Sequence, residues 1–396
     1  MLEDKGLESA LDRVLSVDTG AAVKWEREEF DRLVGRPDVS MVLFGAGNLG
    51  RKVLARLRQD GVNPRAFADN DLALHGKSVD GLPVLSPSDA ARQYGSEAVF
   101  VVTIWNTEHS FVRTRQQLKA LGCEEVVSAI PLRWKYAEDL LPFYWLDLPS
   151  KTIEEADLVR SAFGLWSDPF SKREYLAQLR FRVLGEFDSL SAPVQQPSYF
   201  PDDLFSLRPD ESFVDCGAFD GVTIRQFLRR QSSFSGRIAA FEPDPISFAE
   251  LRRYVSSLKV DLRERIGLLP YAVGSERGVV QFDATGTMGS RVSANGSLEV
   301  ECVTLDEALG EMGLSPSLIK MDIEGAELDG LAGGRGVIQR DAPVLAVCLY
   351  HRYDDLWRIP LLIKALFDGY SLFLRPHELE GWQLVCYAIP QQRMIG

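Results

Sequence analysis

The 396-residue sequence holds five cysteines, Cys123, Cys216, Cys302, Cys348 and Cys386, and no Cys-x-x-Cys pair. An odd, scattered set argues against a disulfide framework and against a structural zinc site. There are four histidines and no His-x-x-x-His, so no local motif fixes a metal and none is read from the sequence. No Tyr-x-x-x-Lys occurs, which removes one proton-transfer pair that a dehydrogenase would use. Long apolar runs are also missing. The longest, Ala342 to Tyr350, is about half the ~20 residues a membrane helix needs, so no membrane span is expected. Basic residues number 44 against 57 acidic ones, a net charge of −13. A broad basic surface is therefore not expected, and neither is a nucleic-acid partner, although the net charge leaves room for a local basic groove. The opening Met-Leu-Glu-Asp-Lys-Gly carries acid where a secretory signal carries base and then an apolar run. Together with the thiols, this reads as a cytoplasmic protein.

What is present is an ordinary globular composition, 45% hydrophobic and 26% charged. At about 150 residues per domain the length implies two or three folding units. Helical spacing of Leu7, Leu11, Val14 and Leu15 marks a first helical segment, 1–37. Residues 38–130 alternate short apolar runs, at Ser40–Phe44, Ala66–Ala68 and Val99–Ile104, with a helical pattern over Arg51–Gln59. That is a βαβ unit and implies a parallel sheet. Residues 131–205 are aromatic-rich and read as a helical connector, with helices near 151–163 and 171–186. From 206 to 396 a second α/β pattern sets in. Its strand candidates are Ser212–Asp215, Arg237–Phe241, Ile266–Val273, Leu318–Asp322 and Pro343–Tyr350, with Ser371–Arg375 and Leu384–Ile389 as a closing antiparallel pair. The fold class expected is α/β, two doubly wound Rossmann-like domains joined by the connector.

The first motif is Gly45-x-Gly47-x-x-Gly50 between a strand and a helix, with Asp69 after the next strand. Gly45 permits a tight turn, Gly47 lets a phosphate approach the backbone, and Gly50 lets the helix lie close to the strand. The helix start, with Asn48, presents free N–H groups to a diphosphate, and Asp69 is placed for a ribose diol. The segments Ala66-Phe-Ala-Asp-Asn and Gly76-Lys-Ser-Val-Asp-Gly-Leu-Pro-Val-Leu resemble the nucleotide-sugar-binding domain of bacterial sugar acyltransferases over about ninety residues. A nucleotide or nucleotide sugar is the ligand expected there. A Rossmann scaffold without a ligand is the bland alternative.

The second motif is Asp215-Cys-Gly217-Ala-Phe-Asp220-Gly221, with Glu242-Pro-Asp244-Pro ending the next strand. Asp215 repels a diphosphate and attracts an ammonium or sulfonium group, and Glu242 suits a ribose diol. This fits S-adenosylmethionine better than NAD. Asp322-Ile-Glu324-Gly-Ala-Glu327 falls at the end of the fourth strand, on the carboxyl edge where open α/β sheets bind ligands.

With Tyr271-Ala272-Val-Gly274 and Val303-Thr-Leu-Asp306 added, the sequence over about 210–350 resembles the FkbM family of S-adenosylmethionine-dependent methyltransferases. The resemblance implies a class I methyltransferase fold and O-methylation of a hydroxyl on a sugar or natural product. It implies a cofactor site of Asp215, Gly217, Ala218, Asp220, Gly221, Glu242, Pro243, Asp244, Ala272 and Asp322.

An alcohol acceptor must lose a proton, which calls for a general base or a metal. His351 follows the fifth strand on the same edge and is the first candidate, with Asp322 and Glu324 as rivals for base, orienting group or ion ligand. His377 has a similar but weaker position, and Glu327 reads as a cap or ion-pair partner. Three readings stay open: a methyltransferase acting on a small-molecule or carbohydrate acceptor, an NAD-linked oxidoreductase, and a nucleotide-sugar-binding regulatory protein with an inactive methyltransferase domain. A homo-oligomer is also left open.

Overall fold

The computed structural model describes residues 2–35, 40–287, 289–293 and 296–395. The boundary expected at 37–38 lies outside them. The chain divides into two compact units, Met1–Ala156 with Leu176–Ala192 and Glu378–Trp382, and Asp157–Tyr175 with Pro193–His377 and Gln383–Gly396. The aromatic connector is thus shared between the units and is not a body of its own.

In the first unit, helices Leu2–Leu15 and Thr19–Val34 precede six strands. These are β1 (Ser40–Phe44), β2 (Ala66–Ala68), β3 (Ser78–Val79), β4 (Leu82–Leu85), β5 (Ala98–Val102) and β6 (Glu125–Ser128). They lie in the order β3-β4-β2-β1-β5-β6. All neighbours pair parallel except β3 and β4. β1, β2 and β5 are continuous apolar runs because both faces of a parallel sheet are covered. β6 buries only Val127 fully, which is why its apolar signal is weak. Helix Asn48–Gln59 buries Gly50, Val53, Leu54 and Leu57, one stripe at helical spacing.

The second unit carries two sheets. The larger contains β7 (Ser212–Cys216), β8 (Arg237–Phe241), β9 (Ile266–Leu269), β14 (Leu318–Met321), β15 (Val344–Cys348), β16 (Tyr370–Pro376) and β17 (Leu384–Pro390), in the order β16-β17-β15-β14-β7-β8-β9. β17 runs antiparallel to β15 and to β16, and the remaining pairs are parallel. Edge strand β16 is covered by the segment around Trp166–Ser171. Ser167 N donates to Leu372 O at 2.8 Å, and Leu374 N donates to Ser171 Oγ at 2.8 Å. Arg375 pairs with Asp168 at 2.7 Å and holds that carboxyl below its ordinary range despite burial. Covering an edge in this way blocks unwanted strand addition.

One expectation changes. The single strand expected over Ile266–Val273 is broken at Pro270, which has no N–H for a ladder. Its second part is β10 (Ala272–Val273). This strand joins a small second sheet with β11 (Gly278–Asp283), β12 (Arg291–Val292) and β13 (Leu298–Val303), in the order β10-β13-β11-β12. Two helices, Glu327–Gly333 and Arg335–Asp341, take up most of the glycine-heavy stretch Gly330–Gly336. A Cβ on Gly333 would overlap the Gly274 carbonyl oxygen, so glycine is required there by close backbone packing. Asp306 accepts from Gly336 N and Val337 N, both at 2.8 Å, and so caps the second helix.

Candidate active site

The site is built on the carboxyl ends of β7, β8, β14 and β15. Asp215 and Lys320 are register partners on adjacent strands β7 and β14. Their side chains therefore meet on one face, 3.1 Å apart and almost fully buried. Lys320 also donates to Gly217 O at 2.6 Å and Cys216 O at 3.2 Å. Burial opposes both charges. Asp215 and Asp322 nevertheless hold Lys320 above the ordinary lysine range. Burial raises Asp215, and Lys320 only partly offsets this. The Asp215 carboxylate, read from the sequence as attracting an ammonium or sulfonium group, thus lies within β7 and is paired with Lys320.

Gly217 is also explained differently. Its φ is +81°, and a Cβ there would overlap the carbonyl oxygen of Asp322. The glycine is needed to bring the turn after β7 against the turn after β14. Gly221 has φ +87° and starts helix Val222–Arg230, where a Cβ would press on Tyr254 at 2.8 Å. Asp220 pairs with Arg225 at 2.6 Å. Ala218 is buried, its N–H donating to Phe241 O at 2.9 Å.

Glu242 follows β8. Its two carboxylate oxygens accept separately from Phe219 N and Asp244 N, each at 2.8 Å. Each oxygen spends one lone pair on the backbone and keeps another for a hydroxyl donor. Burial pushes the Glu242 carboxyl up to about 7, against the lowering pull of these N–H bonds and of Lys320. Pro243 links Glu242 to Asp244. Asp244 is spent otherwise than the resemblance implied. It caps helix Pro245–Ser256 through Ile246 N and Ser247 N, and it accepts from Gly286 N and Ser290 Oγ. These bonds hold it below its ordinary range although burial works against its charge. Ala272 packs into the apolar core of the small sheet with Phe282, Val300 and Cys302, so its side chain is not offered to the carboxyl edge.

Asp322, Glu324 and His351 come together, Asp322 and Glu324 on the turn after β14 and His351 after β15. His351 Nε2 lies 3.3 Å from Asp322 Oδ1 and 3.5 Å from Glu324 Oε1. Its Nδ1 meets Glu327 Oε1 at 2.8 Å. Glu327 is fixed in turn by Ile323 N at 2.8 Å and Gly325 N at 3.0 Å. Asp322 accepts from Tyr199 Oη at 2.8 Å and Tyr350 Oη at 3.0 Å. Burial would lower the histidine, but Glu327, Asp322 and Glu324 hold it well above its ordinary value. Burial would raise Asp322, but His351, Lys320 and Tyr199 hold it well below the carboxylate range. Glu324 is raised by burial beyond what His351 offsets. The three surrounding carboxylates thus favour the protonated imidazole over the neutral form that the expected base needs. His377 bonds Tyr387 Oη at 2.7 Å, and burial lowers it to about 4.

Sequence reasoning missed Tyr199, Tyr350, Gln383 and Lys320. Gln383 Oε1 lies 3.0 Å from Tyr199 Oη, sharing its one proton with Asp322, and Gln383 Nε2 donates to Tyr350 Oη at 3.2 Å. One signal was available for Lys320, the lone charge inside an otherwise apolar strand.

In the first unit, Asp69 accepts from Ala46 N at 2.8 Å and from Asp71 N at 2.9 Å. A Cβ on Gly45 would strike Ile104, and one on Gly50 would overlap the Gly45 carbonyl, while Gly47 faces open space. Asn48 begins the helix.

Against this geometry the comparisons are specific. Residues 215–371 match the profile of the Methyltransferase FkbM domain. This stretch is an FkbM methyltransferase domain. A 2-O-methyltransferase, NoeI, of Sinorhizobium fredii (strain NBRC 101917 / NGR234) is 28% identical over 185 residues, 41% of this chain and 71% of that protein. The crystal structure of methyltransferase FkbM from Methylobacillus flagellatus KT superposes with a TM-score of 0.76 at 20% identity, covering 98% of this chain and 99% of that one. The FkbM domain thus contains Asp215, Glu242, the Asp322–Glu327 turn and His351. Among the described residues no helix is long and apolar enough to cross a membrane.

Proposed function

We propose that the FkbM domain is an S-adenosylmethionine-dependent O-methyltransferase acting on a hydroxyl of a carbohydrate or glycan precursor. The observation that carries this is Glu242, a buried carboxylate at a strand end with both oxygens oriented by backbone N–H groups and one lone pair on each left for a ribose diol. The donor supplies a methyl group on a sulfonium, already a good leaving group. The chain's task is to align the acceptor oxygen, exclude water and receive its proton. We assign the proton to Glu324. Asp322 is engaged by two tyrosine hydroxyls and Glu327 by two backbone N–H groups and His351, whereas Glu324 is paired with His351 alone among the described residues. As the acceptor oxygen bonds to the methyl carbon, the carbon–sulfur pair goes to sulfur and the O–H proton goes to the carboxylate.

The test is transfer of a labelled methyl group from S-adenosylmethionine to a saccharide panel, free and nucleotide-linked. The cofactor half is tested alone with methylthioadenosine, which has the diol and no amino acid group. Glu242→Gln is expected to weaken it by roughly 1–3 kcal/mol. Wild-type affinity is expected to rise with pH through about 7, because the ionised carboxylate is the stronger acceptor for the diol. Below that pH the loss approaches about tenfold per unit, and the variant shows no such slope. A pH-independent wild type or an unchanged variant removes Glu242 from the site.

A second reading concerns the first unit, which we propose binds a nucleotide or nucleotide sugar. Asp69 holds Ala46 N as Glu242 holds Phe219 N, each 23 residues back along the chain. Gly47→Val fills the open space before the helix and is expected to abolish binding of a nucleotide diphosphate to the full chain while leaving methylthioadenosine binding intact. Equal nucleotide binding by variant and wild type defeats it.

A further inference from the structure

We infer that Asp322 Oδ1, Glu324 Oε1 and His351 Nε2 form a divalent-cation site that chelates the acceptor. The inference deepens the O-methyltransferase reading and rests on it for the acceptor, though not for the ion. The three donor atoms lie within 4.8 Å of one another, on two neighbouring strand ends. His351 Nε2 is 3.3 and 3.5 Å from the two carboxylate oxygens. Cis donors around an octahedral ion with bonds of 2.0–2.6 Å stand about 2.8–3.7 Å apart, so these separations are those of neighbouring ligands. Charge-assisted hydrogen bonds are shorter, about 2.7–2.9 Å. The far side of the ring shows that shorter distance, 2.8 Å from Nδ1 to Glu327. A carboxylate on the second nitrogen of a ligating histidine fixes the ring and raises its basicity, and Glu327 is itself locked by two backbone N–H groups.

The donor set is one imidazole and two carboxylates, which suits Mn²⁺ or Mg²⁺ better than a soft metal. The charge also fits. Asp322, Glu324 and Glu327 surround one imidazole, and a divalent ion in place of the Nε2 proton offsets the surplus. Three protein donors leave coordination positions for outside oxygens, and two adjacent hydroxyls fill neighbouring ones. The acceptor class selected is therefore a vicinal diol. Bound to the ion, a hydroxyl is acidified. Its proton leaves through Glu324 Oε2, the oxygen that does not ligate.

A second grouping, Glu327, His351 and Asp355, shares the histidine but is fully buried, with its His351 nitrogen hydrogen-bonded to Glu327. Asp355 is therefore placed outside the ion's shell, which gives the experiment its control.

The experiment is a Mn²⁺ titration of the chelator-stripped full chain by electron paramagnetic resonance. One site is expected, with nitrogen coupling from a single imidazole in the pulsed spectrum. Glu324→Gln and His351→Gln should weaken binding at least about tenfold, Glu327→Gln by about 10–100-fold. Asp355→Asn should leave it unchanged. Near-ultraviolet circular dichroism and methylthioadenosine affinity check that each variant is folded. No bound Mn²⁺ at about 1 mM, no imidazole coupling in the wild type, or loss of binding only in Asp355→Asn overturns the site. Mn²⁺ binding without methylthioadenosine binding leaves the ion site standing and removes the methyl-transfer reading. Methylthioadenosine binding without Mn²⁺ does the reverse. With the ion bound, a sugar carrying a vicinal diol should alter the Mn²⁺ spectrum and its deoxy analogue should not. Equal response to both overturns the acceptor class.

Discussion

Glu324→Gln is expected to lower the turnover of methyl transfer by about 10²–10⁴ while leaving methylthioadenosine affinity within about twofold. The substitution keeps size and polarity and removes the proton acceptor together with one anionic ligand of the inferred ion site. Glu324 sits on the turn after β14 with φ +55°, followed by Gly325 with φ +97°. That backbone directs the carboxylate toward His351 rather than along the strand. A glutamine holds the same turn, so a fall in stability is not expected and thermal unfolding should match the wild type. Single-turnover rates with labelled donor measure the chemical step apart from release. A rate within about twofold of wild type would place the proton acceptor elsewhere, and Asp322→Asn would then be the variant to compare.

Much of the scaffold was legible because parallel strands covered on both faces are written as continuous apolar runs. Arg237–Phe241 coincides with β8, and Ser212–Asp215 falls one residue short of β7. The small sheet was not legible. β12 is two exposed residues, and β11 buries only Phe282 fully, so neither leaves an apolar run. The site was legible as positions and not as partnerships. Strand ends located Asp215, Glu242, Asp322 and His351 on one edge, but pairing depends on register. Asp215 meets Lys320 across 105 residues of sequence because β7 lies beside β14. Tyr199 reaches Asp322 from an irregular lead-in that has no periodicity to read. The metal-competent grouping joins residues from two strand ends, so no short spacing announces it. Asp244 shows the opposite error. A motif acid looked like a ligand group, yet all its bonds are spent on a helix cap and a loop.

Lys320→Met is expected to destabilise the second unit by about 3–5 kcal/mol, because it leaves Asp215 buried without its partner. The pair is 2% and 0% exposed at the side chains, so solvent cannot take over the role of Lys320. For a unit of this size the thermal midpoint should fall on the order of 10 °C. The sign of the pH dependence follows from the direction of the Asp215 shift. Burial raises its folded-state pKa above the unfolded value. The folded chain therefore binds the proton more tightly, and the stability so contributed is present below the unfolded pKa and lost as pH rises through the folded one. Removing Lys320 raises the folded value further, since the lysine is the group that lowers it. The deficit of the variant should accordingly shrink as the solution is acidified and reach its full size above the folded pKa. Lys320→Met with Asp215→Leu removes both charges and should recover most of the stability, since a buried ion pair replaced by packed apolar groups is often neutral. Denaturant unfolding of the single and double variants at acid and neutral pH measures each of these. A single variant as stable as the wild type at neutral pH would mean that Asp215 is not held as a buried charge. Equal deficits in the single and double variants would mean that Lys320 acts through its bonds to the Cys216 and Gly217 carbonyls, and so holds the turn after β7 rather than the charge beside it.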